Sequence, residues 1–416
     1  MAPVERRLGP TRYDLQPLED ALRARGLDGI YTRDFMEKLA EDTARLRLGT
    51  LSIADLKDDS TAPPWLRNAL THKVASINPG LRTYAGHWYN SYLRIAADGY
   101  DRGPDLLVAI RHTDGQISPP NYAFDPSKTC APVQLTSYAP YRDDQLAQKQ
   151  LAWAACNKMF RASKTRTLLQ LQVTSQHLRS GAPRIHKVVC MGLGSLTRQV
   201  GGPDAWFRPY FQHIVALSIA QAFDDLYKQH PERYGQSSKR VRLLAQDPSY
   251  SESDKHVLAD NGFTVLEDPN GLLAIDKNTL VMSAFPSFPL YEIIADMLPG
   301  GPAAIFDASL PTVFRLDSLM RYNEFAAPRV KQMLNGRLIY RLKWDEIELH
   351  RMNKKLLMAV HWLPRMKLFF EPSDGAAGGL STKVIEDIQR REELITAMLP
   401  SGVQLLRQRL QRFVTD

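Results

Sequence analysis

The segment His186-Lys-Val-Val-Cys-Met-Gly-Leu-Gly-Ser195 constrains this chain more than any other. Lys187–Met191 is a short apolar run without polar alternation, the pattern of a strand covered on both faces. A Gly-x-Gly turn follows at once. Beyond it, Phe211, Ile214, Val215, Leu217, Ile219, Phe223 and Leu226 recur at helical spacing from about Tyr210 to His230. Strand, tight turn and helix in that order open a βαβ unit. The alternation continues with strands at 240–247, 263–266, 279–285 and 303–308, and with helices at 253–260 and 291–298. Asn261-Gly262 and Pro299-Gly-Gly-Pro end the two helices. The expected fold class is α/β, a Rossmann-like, mostly parallel sheet flanked by helices, with helical N- and C-terminal extensions. Three regions follow: a mainly helical 1–165, the sheet domain 166–310 and a basic helical 311–416.

Outside the sheet domain the signals are coarser. Helices are expected at 34–46, 143–160, 325–333, 345–362 and 383–413, the last interrupted by Pro400-Ser-Gly. A strand is expected at 106–111 within a stretch of hairpin or long loop. Thr167–Val173 and Arg337–Leu342 fit strand or helix equally well. The three cysteines are far apart and form no zinc or disulfide pattern, which points to a reducing compartment. No secretory signal and no apolar run of membrane length is visible, so a cytoplasmic location is expected.

The net charge is +8. From Arg321 to Lys367 there are eleven Lys or Arg against four acids. Such a stretch either keeps the protein soluble or neutralises the phosphates of a polyanion, where counterion release supplies affinity. Arg337, Arg341, Lys343, Arg351, Lys354 and Lys355 are the candidate phosphate contacts. Lys158, Arg161, Lys164 and Arg166 form a second patch.

Four motifs could carry chemistry. The Gly192–Ser195 turn lies where a doubly wound sheet binds its ligand. Its third fingerprint position is Thr197 rather than glycine, and no acid stands about twenty positions on. A dinucleotide site, an S-adenosylmethionine site using Asp247, and a plain strand-to-helix turn all remain open. Ser195 is either an exposed nucleophile or a turn serine; no Gly-x-Ser-x-Gly elbow surrounds it. Asp345 and Glu348 stand at i and i+3, close enough on a helix to share a proton or clamp a cation. They could equally pair with Arg341, Arg351 or Lys354, and Asp34 and Glu37 repeat the spacing. The histidines show no ligand spacing, so neither metal nor cofactor is expected.

Residues 186–310 resemble the SRR-like (sensitivity to red light reduced) domain family. The likeness rests on Val188-Val-Cys-Met-Gly-Leu-Gly-Ser, Gln246-Asp-Pro-Ser-Tyr-Ser-Glu-Ser, Leu258-Ala-Asp-Asn-Gly-Phe-Thr-Val and Val281-Met-Ser-Ala-Phe-Pro-Ser-Phe-Pro-Leu-Tyr. Where relatives carry a Met-Pro-His-Cys type of sequence, this chain has Ala284-Phe-Pro-Ser. The long flanks resemble the fungal branch, which includes arginine-containing cyclodipeptide synthases. Those enzymes join arginine to a second amino acid, taking both from aminoacyl-tRNAs, and carry an Asp-x-x-Glu motif that Asp345 and Glu348 match. The resemblance implies arginyl-tRNA and a second aminoacyl-tRNA as partners, and Asp345 and Glu348 as catalytic. By analogy with bacterial cyclodipeptide synthases, Ser195 would carry an aminoacyl group, with Gly192, Gly194 and Asp247 holding substrate. A non-catalytic regulatory protein of the same family, or a nucleotide- or S-adenosylmethionine-binding enzyme, are the alternatives.

Overall fold

A computed structural model describes residues 29–47, 84–89, 133–138, 145–196, 207–236, 239–284, 286, 288–308, 328–344, 362–372 and 380–399. The chain packs as two units. One comprises residues 1–139, 288–299 and 313–334; the other comprises 140–287, 300–312 and 335–416.

In the first unit, helix α1 (Arg33–Arg47) is followed by strands β1 (Tyr84–Tyr89) and β2 (Val133–Tyr138). The two strands pair antiparallel, Tyr84 opposite Tyr138 and Tyr89 opposite Val133. Sequence pattern marks α1 but not this pair. The strand expected at 106–111 lies outside the described residues.

The second unit opens with helices α2 (Leu146–Arg161) and α3 (Lys164–Ser180), then strand β3 (Lys187–Met191). The ambiguity at Thr167–Val173 resolves to helix. Ser163 caps α3 by accepting from the Arg166 N–H at 3.1 Å, and Gly181, at φ 67°, ends it. Helix α4 (Arg208–Gln229) starts on Pro209, whose fixed φ suits a first turn. Strand β4 (Arg242–Gln246), helix α5 (Glu252–Asp260), and strands β5 (Phe263–Val265) and β6 (Thr279–Ser283) follow. Helix α6 (Leu290–Met297) belongs to the first unit, as does α7 (Pro328–Leu334). The sheet resumes with β7 (Ala304–Asp307), β8 (Leu338–Arg341) and β9 (Lys367–Phe370), and helix α8 (Thr382–Met398) closes the described chain.

The sheet has seven strands in the order β5-β4-β3-β6-β7-β9-β8. The five from β5 to β7 run parallel, and β9 runs antiparallel to both of its neighbours. This is a mixed α/β architecture with a mostly parallel sheet and flanking helices. Val188, Val189 and Cys190 are fully buried, as the unbroken apolar run requires. Helix α4 packs on β3 and β4, α3 packs on α4 and β9, and α8 packs on α3. Strands β8 and β9 extend the sheet beyond β7, while α2 packs on α4 and α5. Strand β9 has no periodicity to announce it. Leu368, Phe369 and Phe370 are all fully buried, so tertiary position alone makes Lys-Leu-Phe-Phe a strand.

Candidate functional site

Chain connectivity reverses between β3 and β6, because β3 is followed by β4 and β5 on one side while β6 and β7 lie on the other. Parallel sheets bind ligands outside the strand C-termini at such a point. The turn after β3 is held open there by two glycines, Gly192 at φ 66° and Gly194 at φ 84°, a region that penalises any side chain. Among the described residues a Cβ on Gly192 would meet nothing within 4 Å, whereas one on Gly194 would meet Pro209 Cγ at 3.6 Å.

Two carboxylates fix the turn. The Gly192 N–H donates to the Gln246 carbonyl at 3.0 Å, and the Gly194 N–H donates to Asp247 Oδ2 at 2.7 Å. Asp247 Oδ1 accepts from the Ser249 N–H at 2.9 Å and from the Ser249 hydroxyl. The Asp247 residue is half-buried. Ser195 is fully buried, and its hydroxyl donates to Asp254 Oδ2 at 2.5 Å. Asp254 also closes the capping box of α5. It accepts from the Ser251 N–H at 3.0 Å, and its own N–H donates to the Ser251 hydroxyl at 3.2 Å. From α2, the Lys149 ammonium donates to Asp254 Oδ1, to Ser251 Oγ at 3.0 Å and to Ser253 Oγ at 2.9 Å. Both members of the Lys149–Asp254 ion pair are buried.

Behind this cluster lies a neutral imidazole. His213 Nδ1 faces the Pro209 carbonyl at 2.6 Å, so it carries the proton, and Nε2 accepts from the Tyr250 hydroxyl at 2.7 Å. Burial lowers the His213 pKa, although the Pro209 carbonyl opposes the shift. Burial also pushes the Tyr250 hydroxyl well above its usual range, helped by the nearby Asp247.

The cluster can serve two ends. It ties α2, α5 and the β3 turn together, and it sets a carboxylate acceptor on a serine hydroxyl, one element of an activated nucleophile. Of the expected site residues, Gly192, Gly194, Ser195 and Asp247 meet at the end of β3. Lys149, Asp254, His213 and Tyr250 were not singled out from sequence. Ser251-x-x-Asp254 is legible as a capping box, but nothing local connects it to a lysine a hundred residues upstream.

Asp345, Glu348, Arg351, Lys354 and Lys355 lie outside the described residues. The chain that leads to them is anchored. Gln172 of α3 donates to the Lys343 carbonyl at 2.7 Å and accepts from the Lys343 N–H at 2.5 Å. Exposed and buried residues alternate here, with Arg341 and Lys343 exposed and Leu342 and Trp344 buried, so the two basic residues present charge outward. Arg337 does not, which corrects its reading as a phosphate contact. Its side chain is buried and donates to the Pro302 carbonyl at 2.7 Å and the Gly300 carbonyl at 2.8 Å, with Glu371 at 3.7 Å. Asp34 and Glu37, which repeat the Asp-x-x-Glu spacing, sit on α1, where Glu37 lies 3.8 Å from Arg33 on the surface. Among the described residues no cluster of His, Cys, Asp or Glu could hold a metal, and no helix is long and apolar enough to cross a membrane.

No curated protein and no solved structure matches the chain. The family model of the SRR1 domain matches residues 161–324, a span that contains the five parallel strands, the Gly192–Ser195 turn, Asp247 and Asp254, and so supports the SRR-like likeness seen in the sequence.

Proposed function

We propose that the chain is a tRNA-dependent aminoacyltransferase, an arginine-containing cyclodipeptide synthase working at the C-terminal edge of a Rossmann-like sheet. The observation that carries this reading is the Ser195 hydroxyl bonded to Asp254, with Lys149 on the other carboxylate oxygen. An aminoacyl-tRNA ester is already activated, so no nucleoside triphosphate is needed.

In the first step Ser195 Oγ attacks the ester carbonyl and gives its proton to Asp254. The tRNA terminal hydroxyl leaves with that proton, and an aminoacyl-serine remains. The α-amine of the second aminoacyl-tRNA then attacks the serine ester, forming the peptide bond and freeing Ser195. Finally the remaining amine attacks the second tRNA ester, closing a six-membered diketopiperazine and releasing the second tRNA. Asp345 and Glu348 accept protons from the ammonium groups or pair with the arginine side chain. Arg341, Lys343, Arg351, Lys354 and Lys355 hold the acceptor stem by its phosphates, without reading bases. Ser195 is buried, so the ester reaches it only when the surroundings of the turn open, and closure afterwards keeps water from the acyl-serine.

Expression in a host that supplies charged tRNAs, followed by mass spectrometry of its small molecules, tests the proposal. A diketopiperazine containing arginine is expected. Its absence from cells holding folded protein would favour a non-catalytic SRR-like role.

A further inference from the structure

Asp247 stands at the end of the strand beside β3, and the sheet brings it to the glycine turn although it lies 53 positions after Gly194. Dinucleotide sites place an acid about twenty positions on, where it holds a ribose hydroxyl. Here the length of α4 and the segment after it delay the acid in sequence, yet its carboxylate ends 2.7 Å from the Gly194 N–H. A carboxylate offers about four acceptor positions. Gly194 and Ser249 supply three donors to this one, which leaves capacity for a further hydroxyl. The Asp247 residue is half-buried, and among the described residues outside its chain neighbours nothing lies within 4 Å of a Cβ position on Gly192.

We infer that Asp247 and the Gly192–Gly194 turn hold the ribose hydroxyls of an adenosine-type nucleoside. The inference deepens the synthase reading and rests on it for the adenine base and for the source of the nucleoside. In a charged tRNA the terminal adenosine carries the aminoacyl ester on one ribose hydroxyl and leaves the other free. With that free hydroxyl donating to Asp247, the ester is brought to the glycine turn that Ser195 follows in the chain. A free nucleoside cofactor would present the same ribose chemistry.

The test is binding of adenosine and of 2′,3′-dideoxyadenosine to the purified full chain, repeated with Asp247→Asn. Adenosine should bind, and removing both hydroxyls should weaken binding roughly tenfold or more, the usual worth of a hydrogen bond to a charged group. Asp247→Asn should erase the difference. Equal binding of the two nucleosides to the wild-type chain, or binding of neither at millimolar concentration, overturns the site even if the variant fails to fold. Arginine tRNA with and without its terminal adenosine separates the sources. Weaker binding of the shortened tRNA supports both the site and the synthase reading. Unchanged tRNA binding with adenosine still selected over its dideoxy form supports the ribose site, assigns it to a free nucleoside and removes the synthase reading alone.

Discussion

His177 and His213 are imidazoles folded into aromatic surroundings, and both set a pH limit on the fold. His177 lies against Phe223, Tyr227, Tyr234 and Phe370, with the Tyr234 ring stacked at 5.3 Å. Burial drives its pKa down to about 3, with the Arg233 charge adding to the effect. In the unfolded chain each ring takes a proton near pH 6.5, whereas in the folded chain both pKa values are lowered, that of His177 to about 3. The unfolded state then binds more protons, so this contribution favours folding fully above pH 6.5 and is lost as pH falls. The His177 ring should cost about 1.4 kcal/mol of stability per pH unit below that point, continuing toward pH 3, and His213 adds to the decline in the same direction. Urea unfolding between pH 7.5 and 5 should show the decline, and His177→Phe should reduce its slope. A flat profile over this range in the wild-type chain would mean that the two rings are accessible to protons in the native state.

At the scale of elements, Lys149 is the link between α2, α5 and the β3 turn. A buried ammonium pairing with a buried carboxylate leaves an uncompensated charge when one partner goes. Lys149→Met should therefore cost about 3–5 kcal/mol by that reasoning, and adding Asp254→Asn should cost much less than the sum of the two single changes. Additive effects in the double-mutant cycle would mean the ion pair is not the link. The parallel strands were legible because each is a short, largely apolar run between turn residues, alternating with helices of apolar period. Strand β9 was not, since four residues carry no period, and the β1–β2 pair was not, since a long intervening segment separates its strands. The candidate site was half legible. Gly192, Gly194, Ser195 and Asp247 advertise themselves by lying at strand ends. Lys149 and Asp254 meet only through tertiary packing, and Arg337, which reads from sequence as surface charge, is spent on two backbone carbonyls.

The whole molecule carries a surplus of eight positive charges, and its exposed Arg341 and Lys343 sit just before the segment with the densest basic run. If that surface grips tRNA phosphates, the binding constant should fall steeply with salt, by about 10³-fold or more between 50 and 200 mM for some six contacts. Filter binding at several salt concentrations reads this slope, and an affinity indifferent to salt would exclude a phosphate-held tRNA. The account's central claim, that aminoacyl groups are joined through Ser195 and the Asp345–Glu348 pair, is tested most directly by the yield of diketopiperazine from four chains expressed side by side. They are the wild type, Ser195→Ala, Glu348→Gln, and Asp34→Asn with Glu37→Gln as the surface control. The account predicts product from the wild type and the control, and a drop of about 10²–10⁴-fold, the usual worth of a general base, for Glu348→Gln at unchanged thermal midpoint. Ser195→Ala should abolish product. Near-normal product from both Ser195→Ala and Glu348→Gln would contradict the account.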